Sequence, residues 1–147
     1  MDEEKVRQWL KETVVRDWLK EMVGDAVELW WIEAAAGGTF GLADCLVGLQ
    51  GRWLPIELKV DEAGGGKLLK ATVRPAQIRF HTRSHLSGLA TAFLVGRECG
   101  GNMVRYWFVA GCEAERLQDG KVHADLCYPV YTAKSVLKAL RGLSKPL

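Results

Sequence analysis

No apolar run in this 147-residue chain comes near the ~20 residues needed to cross a bilayer. Its opening, MDEEKVRQWL, carries too much charge for a secretion signal. The four cysteines, at positions 45, 99, 112 and 127, lack CxxC spacing, which argues against a zinc site or a disulfide framework. A phosphate-cradling loop is missing as well, because AGGGK is followed by neither Ser nor Thr and does not join a strand to a helix. There are no internal repeats, low-complexity segments or linkers. The net charge is only +2, so a polyanionic partner has to be argued from where the charges lie. What remains is a cytoplasmic protein with reduced thiols and a single domain over residues 1–147, its 48% hydrophobic content enough for a real core.

Helix-forming residues fill positions 3–22, with Gly24 as the expected C-cap. At 3.6 residues per turn, Val6, Trp9, Leu10 and Thr13 share one face, while Val15, Trp18, Leu19 and Met22 fall nearly opposite. Either the helix breaks near Thr13–Val15, or its second face is covered, with a partner subunit as one candidate. Strands are expected at 27–33, 42–48 and 53–60, then a Gly-punctuated loop DEAGGGKLLKAT. Pro75 suits the first turn of a helix running to about Leu86. Strands at 90–96 and 103–109 follow, then an indistinct stretch and a final helix capped by Thr132, with Ala133, Val136, Leu137 and Leu140 as its apolar stripe. The expected fold is α/β, a mixed sheet flanked by helices.

Asp44, Glu57 and Lys59 are out of place in the apolar stretch GLADCLVGLQGRWLPIELKV. With Gln50-Gly51 as the centre of a two-residue hairpin, opposed residues sum to 101 and Asp44 faces Glu57. Lys59 then points to the same side, and the other side holds Cys45, Val47, Leu49, Leu54, Ile56 and Leu58. Opposed carboxylates repel. A hard divalent cation, Mg²⁺ or Mn²⁺, removes that repulsion and gives the pair a purpose. The plainer alternative is a solvated face on which Lys59 bridges two acids, and a longer turn breaks the register altogether.

The run Gly41-Leu42-Ala43-Asp44, twelve residues, then Glu57-Leu58-Lys59 resembles the PD-(D/E)xK nuclease superfamily. It is most similar to the virus-type replication-repair (VRR-NUC) and phage Holliday-junction-resolvase-like nucleases. The preceding Gly-Gly, Gln77 in VRPAQIRFH and the strand TAFLVGRE fall in the family's order, over roughly residues 27–97. Ala43 stands where the family name has Pro. The resemblance implies a restriction-endonuclease-like core of order α-β-β-β-α-β. It implies Asp44, Glu57 and the Leu58 carbonyl as metal ligands, Lys59 as catalytic lysine, and Gln77 positioning the lysine or the attacking water. A Glu from the first helix joins the site in many members; Glu12 is the preferred match, with Glu4 and Glu21 open. It further implies Mg²⁺-dependent hydrolysis of DNA, with four-way junctions in recombination and repair as the expected substrate. A homodimer in a bacterial or phage-infected cell goes with that reading.

From Lys67 to His85 the chain carries Lys67, Lys70, Arg74, Arg79 and Arg83 without one Asp or Glu. Such a run beside a carboxylate site suits a DNA backbone. Lys134, Lys138 and Arg141 make a second basic stripe, which ordinary solvation explains. His81 and His85 stand four apart but lack a third ligand, so they are expected on the surface or facing DNA, His81 bordering the site from the face it shares with Gln77. Trp30, Trp31 and Trp53 either stack on bases or pack within the sheet. Two alternatives stand beside the junction nuclease: a non-catalytic DNA-binding protein of the same fold, and a nicking or restriction-like nuclease acting on linear duplex.

Overall fold

The computed structural model describes residues 1–32 and 43–143. The Gly-Gly pair, Gly41 and Leu42 of the motif, and the outer ends of two expected strands lie outside the described residues.

Asp2 caps the N-terminal helix, its Oδ1 accepting from the Lys5 amide at 3.0 Å. This helix, α1, runs through three consecutive stretches: Glu3–Gln8, Trp9–Leu19 with wide π-type turns, and Lys20–Val23. Gly24, at φ 60°, ends it. The wide turns resolve the two-faced pattern of the sequence. Apolar residues at 6, 10, 14, 15 and 19 recur every four or five positions, and a wider turn brings all of them onto one buried face. Trp18 packs on the same core, and Trp9 lies flat on Tyr106 at 3.6 Å between ring centroids. Of the second stripe, expected as a dimer surface, Val15, Trp18 and Leu19 therefore pack in the protein's own core, while Met22 stays exposed.

The sheet has six strands: β1 (Val27–Trp31), β2 (Cys45–Leu49), β3 (Arg52–Val60), β5 (Ala92–Glu98), β6 (Val104–Ala110) and β8 (Tyr128–Val130), in the order β1-β2-β3-β5-β6-β8. β3 and β5 pair in parallel, and every other neighbouring pair is antiparallel. The helix α2 (Pro75–Leu86) makes the crossover between the parallel strands. A short ribbon of β4 (Leu68–Leu69) and β7 (Val122–His123) stands apart, with the small helix α3 (Ala114–Gln118) before β7. These last pieces fill the stretch the sequence left indistinct. The chain ends in α4 (Ala133–Leu143), where Thr132 Oγ1 accepts from the Ser135 amide as expected of the cap. The architecture is α/β, a mixed sheet flanked by helices, and the order α-β-β-β-α-β holds. No helix among the described residues is long and apolar enough to cross a membrane.

Two cores sandwich the sheet. Leu54, Ile56 and Leu58 of β3 point into the core under α1 and α4. Phe93, Val95, Trp107 and Val109 point the other way, onto Leu69, Ala71, Val73 and Leu117. Strand alternation therefore sends Glu57 and Lys59 to this second side. All four cysteines are free thiols. Burial, with Asp44 and Glu57 nearby, pushes the Cys45 thiol up to about 12, so it behaves as a small apolar residue.

One buried ion pair shapes the loop after β3. Arg97, 7% exposed, donates to Asp61 Oδ2 at 2.7 Å and to the Gly66 and Leu68 carbonyls, each at 2.7 Å. Asp61, its side chain fully buried, also accepts from the Ala63, Gly64 and Lys70 amides. Every group of the pair is thus satisfied, and the three glycines 64–66, all at positive φ, follow the path it dictates. Replacing Arg97 by Met leaves a buried carboxylate without its cation. The expected cost is about 3–5 kcal/mol, read as a lower urea midpoint at unchanged slope; a loss well below 1 kcal/mol would show that the pair does not hold the loop.

Candidate active site

The hairpin turn fixes the site. Gln50 and Gly51 both have positive φ, 50° and 80°, the geometry of a two-residue type I′ turn. It sets Cys45 opposite Ile56 and Leu49 opposite Arg52, the register expected from the sequence. One step beyond the paired ladder, the Asp44 carbonyl accepts from the Ile32 amide at 2.8 Å, and its Oδ2 accepts from the Leu58 amide at 2.7 Å. That anchor brings the Asp44 and Glu57 carboxyl groups together on the face opposite α1's core. Glu57 is 3% exposed. Burial, then the neighbouring Asp44, pushes its carboxyl up to about 9, against the pull of Lys59.

Gln77 ties the group to α2. Its Nε2 donates to Glu57 Oε1 at 2.8 Å, and its Oε1 accepts from Lys59 Nζ at 3.0 Å and from the Arg74 amide at 3.0 Å. Two donors on the oxygen and a carboxylate on the nitrogen leave only this orientation of the amide. The Arg74 bond also closes the first turn of α2, so one side chain both starts the helix and holds the lysine. Lys59 is itself buried, 7% exposed, with its ammonium held toward the carboxyl pair. Among the described residues Glu57 Oε2 is a buried acceptor without a hydrogen-bond partner, and the Asp44 carboxyl stands next to it.

Among the described residues no group of three or more His, Cys, Asp or Glu is gathered to hold a metal. Two facing carboxyl groups, one with an unpartnered oxygen, are nonetheless a hard donor set that fits a divalent cation with waters completing its shell. Glu12 does not join them. It is exposed, and the charge it influences is Arg16's. Glu4 and Glu21 are exposed as well. The acid that reaches the site is Glu3: burial raises its carboxyl above the usual range, Lys59 and Arg74 pull it back, and Asp44 pushes it up. By surface area Glu3 is exposed, so its carboxyl acts on the site from the solvent side. Gly96 makes room for this approach, since any Cβ there would press on Met1 Sδ and Val6 Cγ2 at 3.1 Å. The helix therefore starts against β5, and Glu12, nine residues on, is carried on the order of 10 Å away. The sequence signal for Glu3 was its place in the first turn behind the Asp2 cap.

Of the five expected DNA contacts, Lys67, Lys70, Arg74, Arg79 and Arg83, all are exposed. Arg74 adjoins the site at the start of α2, and Arg79 and Arg83 line one groove with Phe80 and Leu89. Lys67 and Lys70 ride the loop that Asp61 and Arg97 hold. His81 is a correction: it is fully buried, not surface-facing, while His85 is exposed. Its Nδ1 meets Thr91 Oγ1 at 2.6 Å, its ring packs on Phe93, and Nε2 has no partner among the described residues. Gly111 makes that contact possible, since a Cβ there would collide with Thr91 Oγ1.

No protein-family model matches the chain, and no curated protein does. Among solved structures it is similar to the Holliday junction resolvase Hjc of Archaeoglobus fulgidus, at 16% identity and a TM-score of 0.39, over 67% of this chain and 74% of that one. So distant a likeness carries no function, and the site is read from its own residues.

Burial, then the Lys59 charge, lowers His81 from 6.5 to about 4. The unfolded chain takes up this proton first as pH falls, so the folded state loses stability from about pH 6.5 down to about 4. The loss reaches about 3 kcal/mol at most. In His81→Gln that part of the pH–stability slope is expected to vanish; an unchanged slope would mean the imidazole titrates freely in the fold.

Proposed function

We propose that the protein is a metal-dependent endonuclease that hydrolyses DNA phosphodiester bonds. The observation that carries this reading is the buried Lys59–Gln77–Glu57 chain ending in an unpartnered carboxyl oxygen beside Asp44. Two carboxyl groups and an ammonium are costly to bury on a sheet face. A solvated surface bridge does not account for them, because Glu57, Lys59 and Gln77 are all nearly inaccessible.

Asp44 and Glu57, with the Leu58 carbonyl, would hold Mg²⁺ or Mn²⁺. A cation bound there supplies Lewis-acid stabilisation of the charge on the scissile phosphate and on the leaving oxygen. Lys59 is aimed by Gln77, and its ammonium balances the negative charge that grows on a phosphate oxygen as water attacks in line. Glu3, on the solvent side, is the helix carboxyl whose charge bears on the site, where the sequence pointed to Glu12. Lys67, Lys70 and Arg74 lie where the flanking backbone would run, and Arg79 and Arg83 offer a second cationic stretch along α2. Four-way junctions are the substrate we favour, through the nuclease resemblance, and two symmetric cuts then call for a homodimer.

Incubation with plasmid and with synthetic four-way junctions, in Mg²⁺ and in chelator, tests the reading. Cleavage is expected only with Mg²⁺, and Lys59→Ala is expected to lower its rate by about 10²-fold or more. Tight binding without any metal-dependent cleavage would leave a non-catalytic DNA-binding protein, and equal cutting of linear duplex a nicking enzyme. A second measurement needs no substrate. Mg²⁺ at about 100 times its Kd is expected to add about 2.7 kcal/mol to folding stability. Asp44→Asn is expected to abolish that gain, and a gain that survives would place the cation elsewhere.

A further inference from the structure

The sheet face that carries the acid pair also carries two exposed tryptophans. Trp30 is 51% and Trp53 49% exposed, and their rings lie 4.6 Å apart at 33°. Trp31 points to the other face of β1, where it packs on the α1 core under the Arg7 guanidinium. Cross-strand register places the pair relative to the site. Gly48 pairs with Trp53, Trp30 with Leu46, and Leu46 with Pro55, and the next row on that face is Asp44 with Glu57. The Trp53 indole lies over Gly48, where a Cβ would meet it at 3.1 Å. The ring is thus held against the sheet and beside Trp30, with about half of each indole left to solvent.

We infer that Trp30 and Trp53 form a stacking platform for an unpaired base of the nucleic acid whose backbone reaches the Asp44–Glu57 site. The inference rests on the nuclease reading for that site. Along β3 the face-sharing residues run Trp53, Pro55, Glu57, Lys59, and then the basic loop begins. At ~3.3 Å per residue, Trp53 stands about 13 Å from Glu57, close to four stacked nucleotide steps of ~3.4 Å. Charge sorts the two ends. The groove beside Trp53 is rimmed by Asp25 and Glu28 as well as Arg52, a balance that repels phosphate and accepts from the amino groups of bases. Cations collect at the opposite end, on Lys67, Lys70 and Arg74. A flat, uncharged base at the tryptophans and phosphates at the loop is the arrangement this gradient selects. Stacking is indifferent to sequence, so the platform favours substrates with unpaired bases over intact duplex.

The test uses the full chain in chelator, so that nothing is cut. The probe is an oligonucleotide duplex with a single-stranded overhang carrying 2-aminopurine, beside a blunt duplex of the same sequence. Binding is expected to quench the 2-aminopurine. Trp30→Ala with Trp53→Ala is expected to abolish the quench and to weaken overhang binding about tenfold, leaving blunt-duplex affinity unchanged. Trp53→Phe keeps a flat ring and is expected to retain most of the quench. Quenching that survives the double substitution, equal losses on both probes, or no binding to either overturns the platform. So does a change from dimer to monomer by ultracentrifugation with the quench intact, which would make the surface a contact between copies of this chain. A wild-type protein that cuts nothing in Mg²⁺ yet shows tryptophan-dependent quenching refutes the nuclease and keeps the platform; cleavage without quenching does the reverse.

Discussion

A single side chain amide decides how this site can exist. Gln77 donates to Glu57 and accepts from Lys59, so it separates two buried, oppositely inclined groups and fixes both. Without it the lysine, 7% exposed, would lose the hydrogen bond that orients it, and Glu57 Oε1 would lose its amide donor. The same amide oxygen takes the Arg74 amide, which ties the position of the lysine to the first turn of α2. The crossover between β3 and β5 is therefore part of the site's construction and not merely a connection.

The rest of the fold serves that arrangement by sorting residues to faces. The type I′ turn sets a register in which every odd-numbered position of β3 from Trp53 to Lys59 shares one side. The apolar alternates go to the core under α1, and they can afford no polar intruder because Ile56 and Leu58 are almost wholly enclosed. Asp61 and Arg97 then catch the chain as it leaves β3 and bend it into the loop that bears Lys67 and Lys70. Trp53, Glu57, Lys59 and the basic loop follow one another along a single strand and its exit, with Trp30 and Asp44 added from the neighbouring strands.

Much of this was written plainly in the sequence. Two-residue turn chemistry at Gln50-Gly51 and strict alternation were enough to place Asp44 against Glu57, because register follows from turn length. Pro75 and Thr132 announced their helices by backbone rules that hold locally. What local rules do not contain was missed. The wide turns of α1 merge two apparent stripes into one, and a 3.6-residue period cannot reveal that; the expected dimer face vanished with it. Glu3 was passed over for Glu12 because only the seat at Gly96 shows which end of the helix meets the strands. His81 looked like a surface residue, since neither its Thr91 partner nor the room left by Gly111 is legible from spacing. Short strands such as Leu68–Leu69 and Val122–His123 exist only through each other and give no periodic signal.

The central claim is that Asp44 and Glu57 hold one hard cation between them. Crystals soaked in Mn²⁺ test it most directly through the anomalous scattering of the metal. The account predicts a single strong peak per chain within coordination distance of both carboxyl groups, absent from Asp44→Asn crystals. A peak bound elsewhere, or an empty site at saturating Mn²⁺ with Glu57 still facing Asp44, would contradict it.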